Sequence, residues 1–179
     1  MIGVPAPVRG LGLFLAVLAV QRAGELIHSA RNVKRLKARG AREHGSAHFP
    51  LLVLIHVLFP VCLVTEVFAL GARPGPLWPV WLGFWVAAQV LRYTAVRTLG
   101  ERWTVGILVL PGMQRVRSGP YRFLRHPNYL AVVIELLAAP LLFGAWRTAV
   151  AISVANLFAL WIRIRAEEGA LGSVAAGPR

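Results

Sequence analysis

The sequence predicts an all-α fold: an integral membrane bundle of about five transmembrane helices with a pocket at its cytoplasmic face. Three observations carry that expectation. Of the 179 residues, 57% are hydrophobic and 15% charged, against about 45–50% and about 25% in an ordinary soluble domain. The apolar residues gather into runs close to the roughly 20 needed to cross a hydrocarbon core about 30 Å thick. The basic residues fall between those runs, so no separate polar domain is left over.

Five spans are predicted in order. The first covers 10–29 ("GLGLFLAVLAVQRAGELIHS"), the second 49–70, the third 77–96, the fourth 127–146 and the fifth 148–166. The first resembles a signal peptide only superficially, because its leading segment carries Arg9 alone and four further spans follow. "RPGP" (73–76) is a tight turn between spans two and three, and "AWRT" (145–148) closes spans four and five into a helical hairpin. Residues 1–96 read as a three-span region, and 97–179 as a long loop plus the hairpin. The "GSVAAGPR" tail is expected to fray.

The net charge of +13 could suggest nucleic acid, but no soluble surface is available to bind it. Basic loops beside an anionic inner leaflet are the simpler account. Sixteen Lys and Arg fall in segments predicted on one side, including 31–42, 92–125 and the C-terminal end, against Arg9, Arg73 and Arg147 on the other. The bias places the N-terminus outside, and the 97–126 loop and C-terminus in the cytoplasm. A cell membrane is the expected location. The lone Cys62 has no disulfide partner and belongs to no zinc pattern, so it reads as a packing residue.

Charged groups inside a bilayer are costly and invite a functional reading. Arg22 and Glu25, three apart, form a local pair able to snorkel to the interface. Glu66 lies near the outer end of span two, either exposed at the interface or with a role. Glu135, two turns into span four, must face protein or water, either as a protonated hydrogen-bonder or in support of a site. His44 and His48 have the i, i+4 spacing of a metal pair, but "EHGSAHF" contains a glycine and lacks a third ligand, so no metal is expected. His56 reads as a packed polar residue. In "WIRIRAEEGAL", Arg163 and Glu167 share a helical face, with Asn156 two turns above Arg163. Glu167 and Glu168 sit in a last turn where the helix dipole favours cations. Such broken local rules mark either a working site or a solvated helix end.

"GPYRFLRHPNYLAVVIELLAAP" (119–140) brings these threads together. Pro127 suits the first turn of a helix, where its missing N–H costs nothing. That first turn presents free N–H groups and a positive dipole end to an anion, with His126 and Tyr129 beside it. The hairpin puts this mouth next to the Arg163/Glu167 end. The geometry describes a pocket at the cytoplasmic interface, open to a soluble ligand and to lipid.

"SGPYRFLRHPNYLAVVIE" followed by "RIRAEEGAL" resembles the isoprenylcysteine carboxyl methyltransferase family of integral membrane enzymes, over about residues 97–172. "EHGSAHFP" and "LGERWTVGILVLPG" make the chain similar to the short bacterial branch, often associated with type III polyketide synthases, whose members O-methylate alkylresorcinols or alkylpyrones. The resemblance implies S-adenosylmethionine as cofactor. It implies Gln114, Arg115 and Val116 lying along that cofactor, Tyr121 beside it, and His126, Pro127, Asn128 and Tyr129 holding it. Glu167 would bind its amino acid or ribose part, and Arg163 would serve substrate and catalysis. Glu135, Asn156 and Glu168 are supporting candidates. The chain departs from eukaryotic members in lacking their extra N-terminal spans, and differs just before Gln114 where an adenine-end contact is expected.

The implied partner is a lipophilic small molecule drawn from the bilayer. A phenol with pKa near 10 needs a base or an adjacent cation before it attacks, and Arg163 is expected to supply the electrostatic part. The alternatives are carboxyl methylation of an isoprenylcysteine or other lipid acid, and a non-enzymatic scaffold or transporter.

Overall fold

The computed structural model describes residues 6–44, 49–112 and 114–175. Five helices dominate it: α1 (Ala6–Ala38), α2 (Phe49–Phe68), α3 (Trp78–Leu99), α4 (Pro127–Leu142) and α5 (Trp146–Ala175). Two three-residue strands, β1 (Arg42–His44) and β2 (Ile107–Val109), form an antiparallel ribbon with Arg42 opposite Val109 and His44 opposite Ile107. The ribbon was not expected of an all-α chain. Three residues per strand give too little alternation to be read from sequence.

Helix α1 continues well past the expected end at residue 29. The basic stretch 31–38, expected as a loop, is helical, because Lys and Arg are good helix formers and the helix can leave an apolar environment without stopping. Helix α4 is shorter than expected, ending at Leu142 after Pro140, and α5 begins at Trp146 and runs beyond 166. The joint between them turns at Gly144, whose φ of 74° favours glycine; a Cβ there would lie 1.9 Å from the backbone oxygen of Arg73.

Among the described residues, three helices are long and apolar enough to cross a membrane: Gly10–Ala38, Phe49–Phe68 and Trp146–Ala170. Helix α4 is equally greasy but has 16 residues, about 24 Å at 1.5 Å per residue. Helix α3 has the length, and Gln89, Arg92 and Arg97 lower its hydropathy. Large apolar side chains cover the outside of the bundle, among them Val20 and Val154 at 75% and 63% exposed. Exposed apolar surface on that scale marks contact with lipid or a partner. Inside, Leu11, Phe14, Phe59, Leu63, Leu136, Phe143 and Ile152 make one core shared by α1, α2, α4 and α5, with Cys62 packed at its edge. Phe14 meets both Trp85 and Phe143 at 5.3 Å between ring centroids.

Among the described residues, the buried charges other than Arg163 form two networks. Glu135 lies between Arg22 and Arg92, bonded to both. Arg22 also pairs with Glu25 at 2.6 Å, and Arg92 reaches Glu25 at 3.5 Å. Arg22 and Glu25 are therefore part of a four-charge cluster across α1, α3 and α4, rather than a local snorkelling pair. Glu135 is an ion-pair partner rather than a protonated hydrogen-bonder, because two guanidiniums flank it where water cannot. Gln21 extends the cluster, donating to Gln89 at 2.7 Å.

Glu66 is buried, not exposed at an interface. One carboxylate oxygen accepts from the Arg147 N–H at 3.1 Å, and the other accepts from the N–H and hydroxyl of Thr148, both at 2.7 Å. A helix start leaves N–H groups without intrahelical partners; Glu66 of α2 satisfies two of them for α5. His56 is a packed polar residue as expected, its Nδ1 2.8 Å from the Leu52 carbonyl.

Candidate functional site

The site is assembled where the end of α3, the loop to α4, the start of α4 and the last turns of α5 meet. Helix α3 stops at Gly100 (φ 55°), and the 3₁₀ turn Gly100–Arg102 leads into β2. Helix α1 pins that turn. Fully buried Asn32 donates to the carbonyls of Gly100 and Trp103 at 3.0 and 2.8 Å. Ser29 accepts from the Val105 N–H at 2.9 Å, and His28 stacks on Trp103. The sequence reading missed these three residues. Their signal was weak: polar side chains on one face of a helix already noted for its charges.

The chain then returns to the helical bundle through Gly119–Arg122, a second 3₁₀ turn. Gly119 has φ 53°, and a Cβ on it would come within 2.6 Å of Thr98 Oγ1. Only glycine lets the loop lie against the end of α3. Burial, with the Glu167 carboxylate nearby, pushes the Tyr121 phenol above its ordinary range, so it stays neutral. His126 opens α4 with φ −132° and ψ 64°, and Pro127 takes the first helical position. The His126 carbonyl accepts from the Tyr129 and Leu130 N–H groups.

Helix α5 then delivers its polar face. Tyr129 donates its hydroxyl hydrogen to Glu167 at 2.5 Å and accepts from Arg163 Nε at 2.7 Å. Arg163 and Glu167 are thus joined through a tyrosine hydroxyl from the neighbouring helix rather than by a direct pair. Arg163 is buried, and its Nη2 donates to the Val105 carbonyl at 2.6 Å. His126 Nε2 lies 3.0 Å from Glu168 and its Nδ1 3.7 Å from Glu167. Arg115 pairs with Glu168 at 2.6 Å. The imidazole of His126 and the ring of Tyr129 stack at 5.2 Å, nearly parallel. Glu167 and Glu168 are therefore engaged with the mouth of α4 rather than making a solvated helix end.

These groups border a cavity of about 1530 Å³. Gln114, Arg115, Val116, Tyr121, His126, Asn128, Tyr129, Arg163, Glu167 and Glu168 all line it. Pro127 is buried behind the mouth. Glu135 and Asn156 lie outside the lining. Asn156 is fully buried, and neither side-chain atom has a hydrogen-bond partner. Four arginines counted above only for topology, Arg102, Arg117, Arg122 and Arg125, also face the cavity. A single sequence cannot separate loop arginines that face a lipid headgroup from those that face a ligand. His44 sits in β1; His48 lies outside the described residues. Among the described residues no group of three or more His, Cys, Asp or Glu is placed to hold a metal.

A sulfonium nucleoside fits this donor set. Two carboxylates suit a ribose diol or an ammonium group, arginines suit a carboxylate, and stacked aromatic faces suit a sulfonium cation. The buried Asn128 Oδ1 has no partner, so an acceptor is available beside the aromatic pair.

Comparison with known proteins points the same way. The family model for isoprenylcysteine carboxyl methyltransferase (ICMT) matches residues 81–173. The chain is similar to the uncharacterized protein YpbQ of Bacillus subtilis (strain 168), 39% identical over 159 residues covering 89% of this chain and 95% of the relative. It is also similar to an uncharacterized protein of Haemophilus influenzae, 32% identical over 88% of this chain and 92% of that protein. No solved structure matches the chain. The matched segment runs from α3 through the cavity loop to α5, and with apolar helices suited to a bilayer it shows that this chain belongs to the isoprenylcysteine carboxyl methyltransferase family.

Proposed function

We propose that the protein is an S-adenosylmethionine-dependent membrane O-methyltransferase, and that its acceptor is a phenolic lipid or alkylpyrone. One observation supports this most: Tyr129, His126, Arg163, Glu167 and Glu168 converge from two helices on one large cavity, in a chain of a methyltransferase family. The bundle crosses the membrane five times, with the cavity on the cytoplasmic side, where the loop arginines meet an anionic leaflet.

Within this reading, Glu167 and the segment Gln114–Val116 hold the cofactor, with His126, Asn128 and Tyr129 against it. When bound, S-adenosylmethionine supplies an electrophilic methyl group. The chain contributes position and charge, which can account for much of a methyl-transfer barrier. Arg163, anchored by Tyr129 and the Val105 carbonyl, keeps a positive charge beside the acceptor oxygen. That charge favours the oxyanion. The acceptor's alkyl tail remains among the exposed apolar faces of the helices, so no aqueous channel is required for it.

Purified protein in nanodiscs, given labelled S-adenosylmethionine and lipid extract, should form a labelled product that survives mild base. A base-labile product would transfer the assignment to carboxyl methylation, the reading the family's name favours. Lack of cofactor binding would refute both and leave a non-enzymatic membrane protein. Arg163→Ala should lose turnover while retaining cofactor binding; unchanged turnover would remove Arg163 from the mechanism.

A further inference from the structure

A second cavity, of about 270 Å³, lies on the other side of β2. Leu26 and Val33 of α1, with Phe49 and Val105, give it apolar walls, and His44 and Arg163 also line it. It shares Gly106, Ile107, Leu108 and Arg163 with the large cavity, so the two adjoin along β2 and at Arg163. Among the described residues, Arg163 is the only charged side chain that lines both. We propose that this smaller cavity receives the methyl acceptor as a neutral phenol, and that His44 is the base that takes its proton. The inference rests on the reading of the protein as an O-methyltransferase.

The tautomer of His44 supports the role. Its Nδ1 lies 3.1 Å from the Arg42 carbonyl oxygen. A carbonyl can only accept, so Nδ1 carries the hydrogen and Nε2 keeps a lone pair. The other titratable groups at the cavity are otherwise engaged. Glu43 is paired with Lys37 at 3.0 Å, and Arg163 is held by Tyr129 and Val105. A neutral imidazole is a weaker base than a phenolate, so a gap separates it from that proton. The guanidinium of Arg163 narrows the gap by favouring the phenolate.

The step balances. The phenol oxygen forms a bond to the methyl carbon of a sulfonium donor, and the carbon–sulfur bond breaks with its electron pair left on sulfur. The phenolic proton passes to His44 Nε2, leaving an aryl ether, a neutral thioether and an imidazolium that later releases its proton to water. A carboxylate acceptor is already ionised and needs none of this, so His44 separates the two acceptor classes.

The test uses the reconstituted full chain with pentadecylresorcinol as acceptor. His44→Gln should bind S-adenosylmethionine as the wild type does, yet turn over at least ~10²-fold more slowly at neutral pH. The deficit should shrink as pH rises toward 10 and the phenol ionises unaided, and free imidazole should partly restore His44→Ala. Glu101→Gln, at an exposed pair with Arg35 outside both cavities, should keep its rate. Turnover of His44→Gln within twofold of wild type, a deficit constant across pH, or an equal loss in Glu101→Gln would overturn the proposal. If the His44 variants also lose cofactor binding, the wild type decides. Its turnover on the resorcinol must slow in heavy water, because proton transfer to a base accompanies methyl transfer, and an equal rate there would overturn the role. Failure of the wild type to bind cofactor or transfer methyl at all would instead sink the underlying enzyme assignment.

Discussion

Replacing Glu135 with Gln tests the charge cluster at the centre of the bundle. The two oxygens of Glu135 serve different arginines, Arg22 of α1 and Arg92 of α3, and both Glu135 and Arg92 are almost wholly buried. With the carboxylate gone, Arg92 keeps only Glu25 at 3.5 Å, a group already paired with Arg22 at 2.6 Å. Two guanidiniums then share one carboxylate, and the site holds a net positive charge away from water. Breaking a buried pair in this way costs about 3–5 kcal/mol. At about 2–4 °C per kcal/mol for a chain of this size, the melting temperature in detergent should fall by roughly 6–20 °C. The double variant Arg92→Leu, Glu135→Leu leaves the Arg22–Glu25 pair neutral, so it should melt above either single Leu variant. Such a cycle isolates the coupling. Melting of Glu135→Gln within about 2 °C of wild type, well below the calculated loss, would refute the account. So would a double variant less stable than both single ones.

Glu66→Ala should destabilise by about 2 kcal/mol, the upper range for a lost helix cap, with amide exchange accelerating first around Thr148. Gly144→Ala should be poorly tolerated, since the new methyl meets the Arg73 backbone; expression and melting in detergent would read this, and normal melting would contradict the close approach. Tyr121 carries a raised pKa, so its contribution is complete below the ordinary tyrosine range near 10 and declines as pH rises above it. Tyr121→Phe should therefore lose less stability than wild type between neutral and strongly alkaline pH, as followed by tyrosine absorbance and melting.

How much of this was legible in advance differed by element. The helices α2 and α5 were plain from their apolar runs. Residues 31–38 of α1 were not, because a basic stretch reads alike as a loop or as a helix leaving an apolar phase. Pro127 at a helix start and the Arg163/Glu167 face were visible as local rules. That Tyr129 joins those two side chains was not, since the join needs α4 and α5 at one particular rotation. Arg102, Arg117, Arg122 and Arg125 were counted as charge and could not be given direction. In the sequence His44 reads only as half of a metal pair, because its cavity is made by α1, β2 and α5 together.

The sequence alone determined that the chain is an apolar helical membrane protein, and it set the candidate site residues in the loop before α4, the first turn of α4 and the last turns of α5. Hydropathy and turn chemistry are local, so one chain carries them openly. Tertiary structure alone decided the pairings: Glu135 between two arginines, Glu66 on the start of α5, and Arg163 at the wall of two cavities. Each depends on side chains brought together from distant parts of the chain. Burial in apolar surroundings leaves a charge few partners, and only the packing says which one it takes.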